Sequence, residues 1–132
     1  MTLRDVIPSE GLVLIAGGVG SGKSCLAYSI LEDEHRTNPQ RPLYAYNFPP
    51  SKAALLPDYI KPIYDEEYPE GSVVLADEAY LRFYAKDHAN SVNRFMDKFS
   101  GLARQKGILA IFITQTLRKL TLATVSGVKV LL

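Results

Sequence analysis

The chain has 132 residues, of which 47% are hydrophobic and 22% charged, a balance that excludes a disordered protein and fits one domain over residues 1–132. Its formal net charge of +1 gives no overall electrostatic reason to bind nucleic acid, so any such contact must come from a local patch. The single cysteine, Cys25, excludes an intramolecular disulfide framework and suits the reducing cytoplasm, which would be the host cytoplasm for a viral protein.

Short apolar runs alternate with helical patterns along the chain. The runs predict strands at residues 12–16, 43–48, 72–76, 108–113 and 128–132. The helical patterns lie at residues 23–34 and 90–106, with shorter ones near 51–56 and 117–125. Prolines recur from residue 49 to 70 and leave room there for one short helix only. The alternation predicts a three-layer α/β/α fold with a mostly parallel sheet of five or more strands.

Two features of the apolar runs concern the limits of the domain. The longest run, residues 108–113, is far shorter than the roughly 20 residues that a membrane-spanning helix needs, so no span is predicted. The final run ends at Leu132 without a polar cap. Because a natural domain seldom ends inside a buried strand, we expect either that the parent protein continues or that the chain is an excised core.

The first predicted strand runs into a glycine-rich motif with the pattern G-x-x-x-x-G-K-[ST]. The motif consists of Gly17, Gly18, Val19, Gly20, Ser21, Gly22, Lys23 and Ser24. Glycines let backbone N–H groups approach phosphates closely, and the helix that begins near Lys23 adds the positive end of its dipole. Lys23 is placed to pair with β- and γ-phosphate oxygens and the Ser24 hydroxyl to ligate Mg²⁺. The motif therefore predicts a P-loop that binds ATP, against the alternative of a chance glycine-rich turn.

Cys25 follows the motif directly and is counted with the nucleotide-binding residues. Its side chain is expected to be small and buried on the helix that follows the P-loop. A role in redox gating is the less favoured alternative.

An acidic pair follows the third predicted strand, in a Walker B arrangement. Asp77 is expected to hold Mg²⁺, through water or together with Ser24, and Glu78 to polarise the attacking water. Two solvated acids at a strand end are the alternative interpretation. A carboxylate directly after the metal-binding aspartate favours hydrolysis, whereas small-molecule kinases must exclude water from the phosphates.

Polar residues also follow two other predicted strands. Gln115 is the candidate sensor of the γ-phosphate or of the attacking water, with Thr114 and Thr116 as further candidates and a simple polar turn as the alternative. Asn47 lies near the end of the second predicted strand. Because ligands bind at the carboxyl ends of the strands in open α/β sheets, these residues are expected to share one crevice with the P-loop and Asp77.

The chain resembles the HerA/FtsK superfamily of DNA-pumping motors, including the Zot-like ATPases of filamentous phage assembly. The resemblance lies in the P-loop and in four further blocks, at residues 45–48, 75–79, 101–107 and 113–116. A predicted strand, residues 43–48, also lies in sequence between the P-loop and the acidic pair, as in P-loop ATPases of the additional-strand, catalytic-glutamate division. The resemblance implies a ring-forming homo-oligomer that uses ATP and Mg²⁺ for DNA translocation or packaging, or for viral or secretion assembly.

In such ring motors an arginine from the neighbouring subunit commonly completes the site. Arg104, Arg82 and Arg94 are the candidates that the resemblance implies, and for each one alone a solvated surface position is the alternative. Two other functions stay open: a nucleotide or small-molecule kinase, disfavoured by Glu78 and by the lack of an arginine-rich lid, and a slow NTP-dependent switch module.

Overall fold

A computed structural model describes residues 7–8, 10–16, 22–64, 68–77, 101, 103–114 and 129–131 of the chain. In chain order its elements are β1 (Gly11–Ala16), α1 (Lys23–Thr37), β2 (Leu43–Tyr46), a 3₁₀ helix (Pro50–Leu55), β3 (Ile60–Ile63), β4 (Val73–Asp77), β5 (Leu109–Thr114) and β6 (Lys129–Leu131). No helix in these described ranges is both long enough and apolar enough to cross a bilayer.

The six strands form one sheet in the order β3-β2-β4-β5-β1-β6, and all neighbouring strands are parallel. The predicted α/β class with a parallel sheet is therefore confirmed. In the sheet, β5 separates β1, which leads to the predicted P-loop, from β4, which ends at Asp77, since it pairs with both. The predicted second strand, which lies between the two motifs in sequence, is placed instead on the far side of β4.

β3 is a strand that the sequence analysis missed. Because prolines recur between residues 49 and 70, only one short helix was predicted there, near residues 51–56. The 3₁₀ helix at Pro50–Leu55 corresponds to it. β3 nevertheless contains Pro62 and pairs only with β2, at the edge of the sheet. Proline is tolerated at an edge because a strand with one neighbour leaves alternate N–H groups without a ladder partner.

Element boundaries differ modestly from the predictions. α1 begins at Lys23, as expected, and continues to Thr37 rather than residue 34. The long helix predicted at residues 90–106 is described only at residue 101 and residues 103–106, which are helical. Gly107 ends it in the left-handed conformation (φ 63°) and donates its N–H to the Ala103 carbonyl, which confirms the expected glycine cap. The predicted helix at 117–125 lies outside the described residues.

The core has one layer on each face of the sheet. On the face that α1 covers, apolar side chains of the central strands meet the helix; they include Val13, Ile15, Leu43, Ala45, Val73, Leu75, Leu109, Ile111 and Ile113. From α1 the buried residues are Ala27, Ile30, Leu31 and Glu34. The opposite face buries Leu12, Leu14, Val74, Ala76, Ala110 and Phe112 with Tyr68 and Ile108. Both faces of the central strands are thus buried, which accounts for their continuous apolar sequences.

A buried ion pair fastens α1 to the amino-terminal edge of the sheet. One nitrogen of the Arg41 guanidinium lies 3.2 Å from a Glu34 carboxylate oxygen, and the two side chains are only 11% and 4% exposed. Arg41 Nε also donates a hydrogen bond of 2.6 Å to the carbonyl of Gly71, just before β4. The guanidinium therefore links the end of α1, the start of β2 and the turn before β4.

Candidate functional site

The carboxyl ends of three central strands are level with one another. Ala16 of β1 is in register with Thr114 of β5, and Asp77 of β4 is in register with Ile113. β1 and β4 are two strand spacings apart, which is about 10 Å. The topology therefore brings the strand leading to the P-loop, Asp77 and the strand leading to Gln115 to one edge, as predicted. Residues 17–21, Glu78 and Gln115 themselves lie outside the described residues.

The P-loop helix begins at a glycine whose conformation other residues rarely adopt. Gly22 is the N-cap of α1 and has φ 82° and ψ 17°, in the left-handed region. Apart from its chain neighbours, no heavy atom of the described residues lies within 4 Å of the position that a Cβ would take there. The backbone angle by itself is a reason for glycine at this position.

The first turn of α1 carries a lysine and no acidic residue. The N-cap of the helix makes no side-chain hydrogen bond to this turn. The half-buried Lys23 stands there instead, although a cation at a helix N-terminus is unfavourable with respect to the helix dipole. A phosphate group would interact favourably with both the lysine and the N–H groups at the start of the helix.

A recess of about 40 Å³ opens between α1 and the carboxyl ends of the strands. Its lining comprises Ser24, Tyr28, Ala45, Tyr46, Phe48, Leu75, Asp77 and Ile113. Ser24, from the first turn of α1, and Asp77, from the end of β4, thus face one space although 52 residues separate them in the sequence. Ser24 is exposed and Asp77 half-buried, so both can reach a ligand from solvent.

The donor set of this recess fits Mg²⁺. Within the described ranges, no group of three or more His, Cys, Asp or Glu side chains could hold a metal ion. Mg²⁺ does not need such a cage, because it keeps several waters and takes one or two protein oxygens together with substrate phosphates. One hydroxyl (Ser24) and one carboxylate (Asp77) beside a phosphate-binding helix end meet that requirement.

The turn after β2 shapes one wall of the recess. β2 ends at Tyr46 rather than residue 48, because Asn47 adopts a left-handed conformation with φ 55°. This conformation breaks the strand's alternation, so that Phe48 joins Ala45 in the core layer on the α1 face. Tyr64 Oη donates a hydrogen bond of 2.7 Å to the Phe48 carbonyl, and the Asn47 N–H donates to Ile63 at 2.9 Å. Phe48 therefore forms part of the recess wall, and Asn47 is not among the described residues that line the recess.

Three other predicted residues are described. Thr114, at the end of β5, is buried (1% exposed). Cys25 is exposed, so the expectation that it is buried is wrong; the core-facing positions of α1 are Ala27, Ile30, Leu31 and Glu34, a face that Cys25 does not share. Arg104 is exposed on the helix that ends at Gly107. The Gly71 N–H donates to the Lys106 carbonyl at 2.8 Å, which places this helix end at the amino-terminal edge, opposite the recess.

Two lining residues, Tyr28 and Phe48, were not among the predicted site residues. The position of Tyr28 could have been predicted from the sequence, because it lies four residues after Ser24 and residues at that spacing share a face of a helix. Phe48 could not be identified from the sequence, because its position is predicted to be the end of a strand until the left-handed turn at Asn47 is known.

No model of a known protein family matches the chain, and no curated protein sequence matches it.

Proposed function

We propose that the protein is a Mg²⁺-dependent ATPase. The observation that supports this best is the shared recess, which brings Ser24 of the P-loop helix and Asp77 of the Walker B strand together at the carboxyl edge of a parallel sheet. The start of α1, with Lys23 and no acidic residue in its first turn, adds a place for the phosphates. These features come from distant parts of the sequence and meet where α/β sheets bind ligands.

In the proposed reaction, different residues of the chain bind the phosphates, hold the metal ion and accept the proton from water. Lys23 and the N–H groups at the start of α1 bind the β- and γ-phosphates, and Ser24 and Asp77 hold the magnesium ion. The ion, when bound, neutralises the charge that develops on the phosphate oxygens. Glu78 accepts a proton from water as the water oxygen bonds to the γ-phosphorus and the bond from that phosphorus to the bridging oxygen breaks. The products are ADP and phosphate.

The acidic pair favours hydrolysis over transfer to a small-molecule acceptor. Glu78 follows Asp77 directly in the sequence, and a carboxylate in that position suits the activation of water. This supports the ATPase over the kinase alternative.

The acidic pair provides the direct test of this proposal. Glu78→Gln is expected to lower steady-state ATP hydrolysis by about 10²-fold or more, as for loss of a catalytic base, with ATP binding nearly unchanged. Asp77→Asn is expected to weaken the Mg²⁺-dependent part of ATP binding instead. Phosphate release and equilibrium binding, each with Mg²⁺ and with EDTA, separate the two effects. An equal loss of binding in both variants would show that these roles are assigned wrongly.

The proposed biological role is that of a motor of the HerA/FtsK type, which forms a homo-oligomeric ring and moves DNA or drives viral or secretion assembly. This proposal rests on the sequence resemblance. Arg104 is compatible with it in one respect: its exposed position at the amino-terminal edge is remote from the protomer's own recess. Any contact of Arg104 with a nucleotide would therefore have to be with that of a neighbouring protomer.

A shared site makes hydrolysis depend on association. We expect ATPase activity per protomer to rise with protein concentration and single- or double-stranded DNA to stimulate it. Arg104→Ala should bind ATP normally and hydrolyse it poorly, and mixing it with Lys23→Ala should restore some activity, because a mixed interface pairs one intact P-loop with one intact arginine. Arg82→Ala and Arg94→Ala are tested in the same way. Activity that is independent of concentration, with no complementing mixture, would favour a monomeric kinase or switch.

A further inference from the structure

Tyr28 lies in the recess one helical turn beyond Ser24. Residues four apart on a helix are neighbours on its surface, so α1 presents the serine and the tyrosine to the same space. Tyr28 is half-buried and packs against the core layer between α1 and the sheet. Its ring therefore has a packing role, and the question is what the hydroxyl group adds.

Among the described residues, the other side chains that line the recess are mostly apolar. Ala45 and Tyr46 belong to β2, and Tyr46 packs against the core on the opposite face of the sheet. Phe48, Leu75 and Ile113 are apolar and buried. On the α1 face, the polar side chains among the described lining residues are those of Ser24, Tyr28 and Asp77. A water molecule in such a space needs two to four polar partners, and these three groups supply them.

We propose that Tyr28 is a positioning residue for the divalent cation. Its hydroxyl group holds water between Ser24 and Asp77 and thereby orients the oxygen ligands of Mg²⁺. The inference rests on the proposed ATPase function, since it assigns a role within the same site. Groups that orient metal ligands in this way typically contribute 10- to 100-fold to metal affinity. A phenylalanine at this position would keep the packing and lose the cation affinity.

The test is a Mg²⁺ titration of the binding of a fluorescent ATP analogue to the whole chain. Tyr28→Phe is expected to raise the Mg²⁺ concentration at half-saturation by about 10-fold or more. Binding of the analogue in EDTA and the melting temperature should stay at wild-type values, because the ring is retained. Tyr59→Phe is the matched control: Tyr59 is also half-buried and packs against the same core layer, but it stacks on His35 outside the recess.

The outcomes distinguish this inference from the proposed function. If the wild-type protein shows no Mg²⁺-dependent binding of the analogue, the ATPase proposal fails, and the role of Tyr28 fails with it. If the wild-type protein binds and Tyr28→Phe has the same Mg²⁺ half-saturation, the tyrosine is only a core residue and the ATPase proposal stands. A Tyr28→Phe variant with equally weakened binding in Mg²⁺ and in EDTA would also overturn the inference, since the hydroxyl would then act on the nucleotide or the fold.

Discussion

Lys23→Ala is expected to abolish tight ATP binding or to lower turnover by at least about 10²–10³-fold, the cost of removing one group that stabilises transition-state charge. Lys23 is the only cationic side chain of the P-loop sequence and stands half-buried in the first turn of α1. Its removal leaves the transferring phosphoryl group without a point charge from the loop. Calorimetric ATP binding and phosphate release measure the two effects.

The control for this substitution is Lys61→Ala. Lys61 is exposed on the edge strand β3, so its replacement removes the same charge away from the recess. We expect Lys61→Ala to bind and hydrolyse ATP as the wild-type protein does. Hydrolysis by Lys23→Ala at a near-wild-type rate would remove the central proposal.

Arg41→Ala is expected to lower the free energy of unfolding by about 3–5 kcal/mol, because it removes the cation that lies 3.2 Å from the buried Glu34 carboxylate. The same change also removes the hydrogen bond to the Gly71 carbonyl. This loss is a large fraction of the stability of a domain of this size. Equilibrium denaturation with urea measures it directly.

Arg36→Ala is the matched control for burial. Arg36 pairs with Glu32, four residues earlier on α1, at 2.9 Å, but the two side chains are 72% and 55% exposed. Solvent screens such a pair, so its loss should cost about 0.5 kcal/mol or less. If Arg41→Ala is no more destabilising than Arg36→Ala, the buried pair does not fasten the helix to the sheet. Replacing both Glu34 and Arg41 by Leu and Met should recover part of the loss.

The sequence was sufficient to predict the parts of the fold that have strong local signals. Continuous apolar runs located the central strands, and the glycine-lysine pair located the start of α1 at Lys23. Because the carboxyl ends of parallel strands share one edge, the meeting of Ser24 with Asp77 also followed from the sequence. The roles of Glu78 and Gln115 remain predictions.

The features that were missed depend on the three-dimensional surroundings of a residue. Pro62 argues against a strand unless that strand is known to lie at an edge. The left-handed turn at Asn47, which directs Phe48 into the recess wall, has no pattern in the sequence around it. Cys25 belongs to a residue type that is usually buried. Its exposure becomes clear only once the structure shows which positions of α1 face the core.

The position of β5 in the sheet has a consequence for how the chain folds. β2, β3 and β4 are neighbours in space and close in sequence, so they can pair early. β1, by contrast, pairs only with β5 and β6 in the described sheet, and both are made late in synthesis. The first strand must therefore wait for residues 109–114 before it can join the sheet, which is slow because distant segments have to meet. We therefore expect the two halves of the recess to come together only when β5 pairs with both β1 and β4.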